Sequence, residues 1–250
     1  MLSLSMPMEC RAPASQSQAR GVIRLRVRPK INGAEKGLSR KRFFLIKGSL
    51  QDHQKLLESI NRPLVPARDC YYQSINATKE LRAWLKAGDC DSVYCREIEQ
   101  KYVEGAQAVP EFRAAYEKGL KEFGSRELAR QWLTNNLPEE VRLGYYKLKQ
   151  EATGAFIKQA EETSHAKVMS VMTDRKGTAY FTGVEPATYL ITNIVASETG
   201  STPAIWVCEY VMKPDRLDEE QIVKLSNQED KKLKCHFIEL PSDTCDKTAK

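Results

Sequence analysis

The sequence predicts an α+β protein in which β-strands at both ends of the chain enclose a long all-helical segment. Residues 21–28, GVIRLRVR, alternate apolar and basic side chains with the period of two that indicates a half-buried strand. Residues 49–163 contain helix caps and apolar stripes but no such alternation, and strand-like patterns return only after residue 165. The length of 250 residues fits one or two domains, and the hydrophobic content of 41% is enough for a folded core.

Two strands are predicted before the helical segment. In residues 21–28 the apolar side chains point to one face and three arginines point to the other. A turn at Asn32–Gly33, two residue types that tolerate positive φ, leads to a second strand over residues 40–47, RKRFFLIK. We expect the apolar centre of this second strand to be covered on both faces, and we expect the two strands to pair as a hairpin.

Capping residues and prolines divide the helical segment into about six helices. Ser49, Asn76 and Ser125 are placed to cap helices, and Pro138 lies in the first turn of the last one. The predicted helices cover residues 49–60, 78–87, 91–103, 110–123, 125–133 and 138–163. Strands are then predicted over residues 167–174, 178–184, 188–197, 204–213 and 218–225. No stretch is apolar for the roughly 18 to 20 residues that a membrane span requires.

The segment Thr173–Leu190, TDRKGTAYFTGVEPATYL, contains a Thr-Asp turn, a glycine, an aromatic strand and a Gly-Val-Glu-Pro-Ala-Thr-Tyr run. This order resembles the carboxypeptidase regulatory-like domain, which is related to the transthyretin (prealbumin-type) β-sandwiches. The first two strands and the ending IVKLSN, residues 222–227, are similar to further strands of that family. The resemblance implies that Gly177 adopts positive φ and that Tyr189 plugs one end of a sandwich. It says almost nothing about activity.

With this resemblance, the predicted fold is α+β: a small antiparallel β-sandwich with an inserted all-helical domain of about six helices. The β-sandwich domain covers residues 20–48 and 165–227, and the inserted helical domain covers residues 49–164. Residues 228–250 are expected to form a polar C-terminal tail. Residues 1–19 are expected to be either a disordered leader or the remnant of a signal peptide.

The formal net charge of +6 is concentrated in residues 20–47, the basic ribbon, which contains ten basic residues and one acidic residue. The predicted hairpin places six candidate partner-binding cations within about 15 Å of one another, namely Arg24, Arg26, Arg28, Arg40, Lys41 and Arg42. Such a ribbon suits an acidic polysaccharide, phospholipid head groups, nucleic acid or an acidic protein. Nucleic acid is the weakest of these ligands because no aromatic residue interleaves with the cations on that face. The alternative is that the arginines pair with acids of the helical domain.

The seven cysteines include no CxxC pair and no zinc-site spacing. The cluster of Cys70, Cys90 and Cys95 suits one disulfide within the helical domain, and Cys235 and Cys245 could close a second one in the tail. Free thiols buried as small hydrophobic residues are the alternative. With the small residues before Arg20, the cysteines favour export to the periplasm, the cell surface or the exterior; a cytoplasmic location is the alternative.

No motif in the sequence names a reaction. The chain lacks GxSxG, Walker and GxGxxG patterns, and His53, His165 and His236 do not have metal-site spacing. Cys208 alternates with large apolar residues, which assigns it to the core. We therefore predict no cofactor, no metal and no catalytic residues.

The expected function is that of a non-catalytic binding or structural protein. In this prediction the sandwich is the scaffold and the helical domain contacts a partner, either a protein or an acidic polysaccharide. Two alternatives are a hydrolase-type enzyme with its site in the helical domain around Cys70, Cys90 or Cys95, and a binder of acidic polymers or nucleic acid that uses the basic ribbon.

Overall fold

The computed structural model describes residues 20–61, 65–199, 202–228 and 233–240, together with residue 245. Four strands come first: β1 (Gly21–Val27), β2 (Lys30–Ile31), β3 (Ala34–Glu35) and β4 (Arg42–Lys47). The helices are α1 (Gln54–Asn61), α2 (Arg68–Ser74), α3 (Lys79–Ala87), α4 (Pro110–Phe123), α5 (Arg126–Gln131) and α6 (Tyr145–Ser164). The later strands are β5 (Met169–Met172), β6 (Thr178–Val184), β7 (Ala187–Thr192), β8 (Ser197–Thr199), β9 (Thr202–Met212), β10 (Glu220–Leu225) and β11 (Lys234–Glu239). The predicted α+β class is confirmed.

A three-stranded sheet has the order β10-β1-β6, with β1 at its centre. The predicted alternation of β1 is confirmed: Ile23, Leu25 and Val27 are completely buried, and the arginines between them are half-buried on the opposite face. β1 pairs antiparallel with β6 but parallel with β10, so the prediction of purely antiparallel pairing is wrong at this edge.

A larger sheet has the order β11-β9-β7-β4-β5, with β8 paired to β9. One of its faces shares a buried cluster with the three-stranded sheet, and Trp206 and Phe43 lie within that cluster. The other face packs against helices, where Phe44 and Ile46 meet Phe156 of α6. β4 is therefore covered on both faces, as its sequence predicts. A strand buried on both faces loses the alternating pattern because each side requires apolar side chains.

Five of the predicted helices are present, but the predicted helix over residues 91–103 is wrong. Only Gln100–Tyr102 forms a short 3₁₀ turn in that stretch. The Cα atoms of Cys90 and Cys95 are 5.5 Å apart, whereas residues five apart in an α-helix are separated by about 8–9 Å. The two cysteines therefore pair only because the chain folds back between them. α2 is a further helix that was not predicted from the sequence.

The helices build a second core from residues 65–145, which includes Tyr72, Trp84 and Phe112. α6 joins this core to the large sheet because Tyr145 near its start packs in the helical core and Phe156 packs on the sheet. The cap of α3 is Thr78, whose side chain accepts a hydrogen bond from the Leu81 N–H, and not the predicted Asn76. Asn76 instead adopts a left-handed conformation with φ 57° in the preceding turn.

The C-terminal part of the chain differs from the predicted polar tail, because β11 pairs antiparallel with β9 at the edge of the large sheet. The leader predicted over residues 1–19 lies outside the described residues. Among the helices that the structure describes, none has the length and apolar character needed to cross a membrane.

α6 is preceded by a π-helical turn, Glu140–Gly144, that packs against a cluster of tyrosines. The Tyr71 hydroxyl donates to the Glu140 carbonyl at 2.9 Å, and its ring lies 5.4 Å from the ring of Tyr145. A wide π turn leaves carbonyl groups that the regular i→i−4 ladder does not satisfy. The phenol supplies one of the missing donors, and it occupies the space next to Gly144.

We expect Gly144→Ala to destabilise the protein by about 2 kcal/mol, because its Cβ would overlap the Tyr71 hydroxyl and lie 2.9 Å from Tyr71 Cζ. Chemical denaturation of the Gly144→Ala and Tyr71→Phe variants, alone and combined, measures the effect; the cost should shrink in the Phe background. Gly154→Ala on the same helix is the control, because nothing lies within 4 Å of its Cβ. That variant should gain up to about 1 kcal/mol of helix propensity. Equal effects at the two glycines would contradict the packing argument.

Candidate anion-binding face

The outer side of the three-stranded sheet carries four cations and two exposed apolar residues, and we call this surface the arginine face. Its members are Arg24, Arg26, Arg28, Lys224, Tyr180 and Ile222. The alternation of β1 places Arg24 and Arg26 on one side of the central strand, about 6.6 Å apart along it. Arg28 follows the strand directly. The strand register adds the flanking residues: Tyr180 and Ile222 lie on either side of Arg24, and Lys224 lies beside Arg26.

Two apolar side chains on this face are unusually exposed. Tyr180 is 47% exposed and Ile222 is 58% exposed, on opposite sides of Arg24. The Arg24 guanidinium carbon lies 5.8 Å from the centre of the Tyr180 ring, within the range of a cation–π contact. The face therefore combines charge with an aromatic ring that solvent can reach.

Two carboxylates partly neutralise the arginine face. Arg24 pairs with Glu220 at 3.2 Å, and Lys224 pairs with Glu35 at 2.7 Å. The hydrogen bond from Lys224, together with its charge, holds the pKa of Glu35 below its usual range, and the more distant Arg28 adds to the effect. Four cations against two carboxylates leave the face positive.

Arg26 and Arg28 are the cations on this face with the fewest partners. In the part of the chain that the structure describes, neither has a carboxylate within 4 Å or a side-chain hydrogen bond. The Nε atoms of Arg24, Arg26 and Arg28 are all buried and have no hydrogen-bond acceptor among the described residues. An anion would therefore bind through the terminal nitrogens of these side chains.

The predicted hairpin of six cations is wrong, because β1 and β4 lie in different sheets. The Asn32–Gly33 turn closes only the two-residue strands β2 and β3, after which the chain crosses to the large sheet. Of the other candidates, Lys41 pairs with Asp89 at 2.7 Å, and Arg42 donates to the Ser170 hydroxyl at 3.3 Å. Arg40 lies in the turn just before Lys41, with φ 56°.

The alternative prediction was that the cations of the ribbon pair with acids of the helical domain. Among the described ion pairs of the six candidates, this holds for Lys41. Lys41 does pair with an acid of the helical segment, Asp89, but Arg24 pairs with Glu220 of β10. The prediction that no aromatic residue lies among the cations is wrong, because Tyr180 lies beside Arg24. Its exposure follows from the alternation of β6, where Ala179 and Phe181 point inwards. The register that puts it beside Arg24 could not be deduced from the sequence.

No protein-family model, curated protein or solved structure matches this chain. No residue role is therefore transferred from a relative.

Three cysteine pairs lie at disulfide distance: Cys70–Cys245, Cys90–Cys95 and Cys208–Cys235. One disulfide was expected among Cys70, Cys90 and Cys95 with its pairing left open, and the structure pairs Cys90 with Cys95. The predicted pairing of Cys235 with Cys245 is wrong, because β11 places Cys235 directly opposite Cys208 of β9. Cys208 is buried, as predicted, but it is also bonded. The remaining cysteine, Cys10, lies outside the described residues.

The hydrolase alternative requires a free thiol at Cys70, Cys90 or Cys95. Cys70, Cys90 and Cys95 are each bonded to another cysteine, and a disulfide sulfur is not a thiolate nucleophile. Within the described ranges there is also no group of three or more His, Cys, Asp or Glu residues placed to hold a metal ion.

A buried charge cluster at the junction between helices and sheet was missed by the sequence analysis. The Arg68 side chain of α2 is only 3% exposed and pairs with Asp69 at 3.2 Å. Its second carboxylate partner, Glu198 of β8, lies 4.0 Å away. Burial raises the pKa of Glu198, and the nearby Arg68 counteracts part of this shift. No sequence pattern indicates this contact because the two residues are 130 positions apart.

Proposed function

We propose that this chain is a non-catalytic, exported binding protein that holds an acidic polysaccharide on the arginine face. The observation that carries the proposal is the pair Arg26 and Arg28, which are half-buried on the outer side of the three-stranded sheet and have no carboxylate within 4 Å among the described residues. Guanidinium groups bind carboxylates and sulfates through two parallel hydrogen bonds. The terminal nitrogens of Arg26 and Arg28 are therefore available to such groups.

The spacing of the arginines favours an extended polymer. Side chains that repeat every second residue of a strand are about 6.6 Å apart, which suits a ligand whose anionic groups also repeat along its length. Tyr180 offers an aromatic surface on which a sugar ring can stack beside the charge. Single-stranded nucleic acid is less suitable, because successive bases require several aromatic platforms and this face presents one.

Export is supported by the cysteine pairs. Three pairs at disulfide distance are typical of proteins in an oxidising compartment, because cytosolic thiols are kept reduced. The buried position of Cys90 and Cys208 suits a structural role for their bonds.

The scaffold in this proposal is a β-sandwich of the carboxypeptidase regulatory-like kind. Its support is local: Gly177 has φ 73°, the Asp174 carboxylate caps that turn, and the Tyr189 hydroxyl donates to the Glu185 carbonyl at 3.0 Å. The Thr178 N–H holds the pKa of Asp174 below its usual range, and the Lys176 N–H adds to this effect. These are the positions at which the resemblance implies a glycine turn and a tyrosine plug.

We expect Arg26→Gln/Arg28→Gln to weaken binding to heparin, a sulfated polysaccharide, about tenfold near physiological salt. Two exposed charge contacts of about 0.7 kcal/mol each account for that loss. Affinity titrations over a range of salt concentrations measure it, and the salt dependence should become shallower.

The matched control is Lys118→Gln/Lys121→Gln, which removes the same charge from exposed positions of α4. Its heparin affinity should stay within about twofold of the parent protein. An equal loss in both variants would show a net-charge effect, and an unchanged affinity in the arginine variant would refute the proposal.

A further inference from the structure

The helical part of the molecule contains a cleft that is separate from the arginine face. Its volume is about 460 Å³, within the range of small-molecule sites. One wall is the loop that follows Cys90, with Tyr94 and Arg96, and the other wall is the end of α5, with Arg130 and Gln131. The cleft therefore lies where two separately held segments meet.

The loop wall is fixed in place by contacts behind it. The Cys90–Cys95 pair closes a loop in which Val93 is buried. The Arg96 guanidinium lies 4.2 Å from the centre of the Trp84 ring and donates to the Trp84 carbonyl at 2.6 Å. A guanidinium held by stacking and by a carbonyl loses little further freedom when it binds an anion, which lowers the entropic cost of binding.

The lining combines buried apolar residues with two arginines. Val93, Ile98 and Leu133 are all buried and form the apolar part. Arg96 and Arg130 supply two positive charges, whereas Glu97 is the single carboxylate in the lining. Within the described ranges Arg130 has no carboxylate within 4 Å.

We propose that this cleft binds a small amphipathic anion, meaning an apolar or aromatic body that carries one carboxylate or sulfonate group. The body packs on the ring of Tyr94, which is 50% exposed, because the protein itself nearly covers Val93, Ile98 and Leu133. The anionic group lies between the two guanidinium groups. Tyr94, whose hydroxyl accepts from Arg142 at 3.4 Å, forms a partly exposed rim beside the anion. The proposal does not depend on the arginine face, since the two surfaces share no residue.

Anilinonaphthalene sulfonate is a suitable probe because it has an aromatic body and one sulfonate. Fluorescence titration of the folded, oxidised protein should show saturable binding of one probe molecule. Arg130→Gln should weaken this binding at least tenfold by removing the free guanidinium. Gln131→Trp, which fills the cleft without a change of charge, should weaken it to a similar extent.

Two control variants locate the probe. Lys118→Gln on the exposed side of α4 and Arg26→Gln/Arg28→Gln on the arginine face should both bind within about twofold of the parent protein. Near-ultraviolet circular dichroism verifies that each variant is folded. Absence of saturable binding, or binding that survives both cleft variants, would overturn the proposal while leaving the heparin experiment unaffected.

Discussion

Replacing both Cys70 and Cys245 by alanine should lower the free energy of unfolding by about 4–5 kcal/mol. The bond closes a loop of 175 residues, with a Cα separation of 5.0 Å, and it ties the C-terminal end of the chain to α2. A disulfide stabilises mainly by restricting the unfolded chain, and in the chain-entropy model the effect grows with loop length to about 5 kcal/mol for a loop of this size. Equilibrium denaturation without reductant measures the loss.

The control is the replacement of Cys90 and Cys95, which close a loop of only five residues. The same model gives about 2 kcal/mol for that bond. Both variants should be made in a Cys10→Ser background, so that no free thiol exchanges with the bonds that remain. A smaller loss for the long loop than for the short one would show that the first bond does not constrain the unfolded chain, and peptide mapping would then locate the actual pairing.

The strands of the fold were predictable wherever one side faces water and the other faces a core. β1 and β10 alternate because they belong to a sheet with one covered face, and this alternation can be recognised directly in the sequence. The alternation does not show which strands will pair with one another. The turn sequence of a hairpin follows β1, yet its neighbours in the sheet are β6 and β10, which begin some 150 and 190 residues after β1 ends.

The errors in the helical segment have a related cause. Residues 91–103 contain apolar positions at helical spacing, but the contact between Cys90 and Cys95 and the short 3₁₀ turn override them. β11 was assigned to a polar tail because its residues are mixed in character. It forms a strand because the Phe237 ring packs with its centre 5.1 Å from the centre of the Trp206 ring, and because Cys235 lies opposite Cys208 in the strand register. In both places a tertiary contact outweighs local propensity.

Half of the candidate site was accessible from the sequence. Arg24, Arg26 and Arg28 follow from the sequence alternation alone, whereas Tyr180 and Lys224 join them only through strand register. The cleft could not be predicted at all, because Arg96 and Arg130 come from segments whose approach depends on the packing of α5 against its neighbours.

The buried charge cluster leads to the second large prediction. Arg68 of α2 lies between Asp69 and Glu198, and its Nη1 donates to the Cys90 carbonyl at 3.4 Å. We expect Arg68→Met to destabilise the protein by about 3 kcal/mol at neutral pH, because removing one partner of a buried pair leaves the other charge uncompensated. Thermal and chemical denaturation measure this loss. The same change at exposed Arg126 should cost less than about 0.5 kcal/mol.

The pH dependence distinguishes charge from packing. Burial raises the pKa of Glu198 above its usual 4.5, and removal of Arg68 raises that pKa further. A carboxyl group whose pKa is raised by folding favours the folded state below its unfolded pKa, and this benefit is lost as the pH rises through the folded value. The cost of Arg68→Met should therefore be small near pH 4.5 and should reach its full size near pH 7.

A second substitution tests whether Glu198 is the group responsible. Glu198→Gln in the Arg68→Met background removes the uncompensated charge but keeps the size of the side chain, so it should recover at least half of the lost stability near pH 7 and little near pH 4.5. Asp69, Asp89 and Lys41 also act on Glu198, the two acids raising its pKa and the lysine lowering it. Their contributions remain in both backgrounds and cancel in the comparison. A cost that is independent of pH and is not rescued would mean that Arg68 supports the junction through its packing and its hydrogen bond to Cys90, and not through its charge.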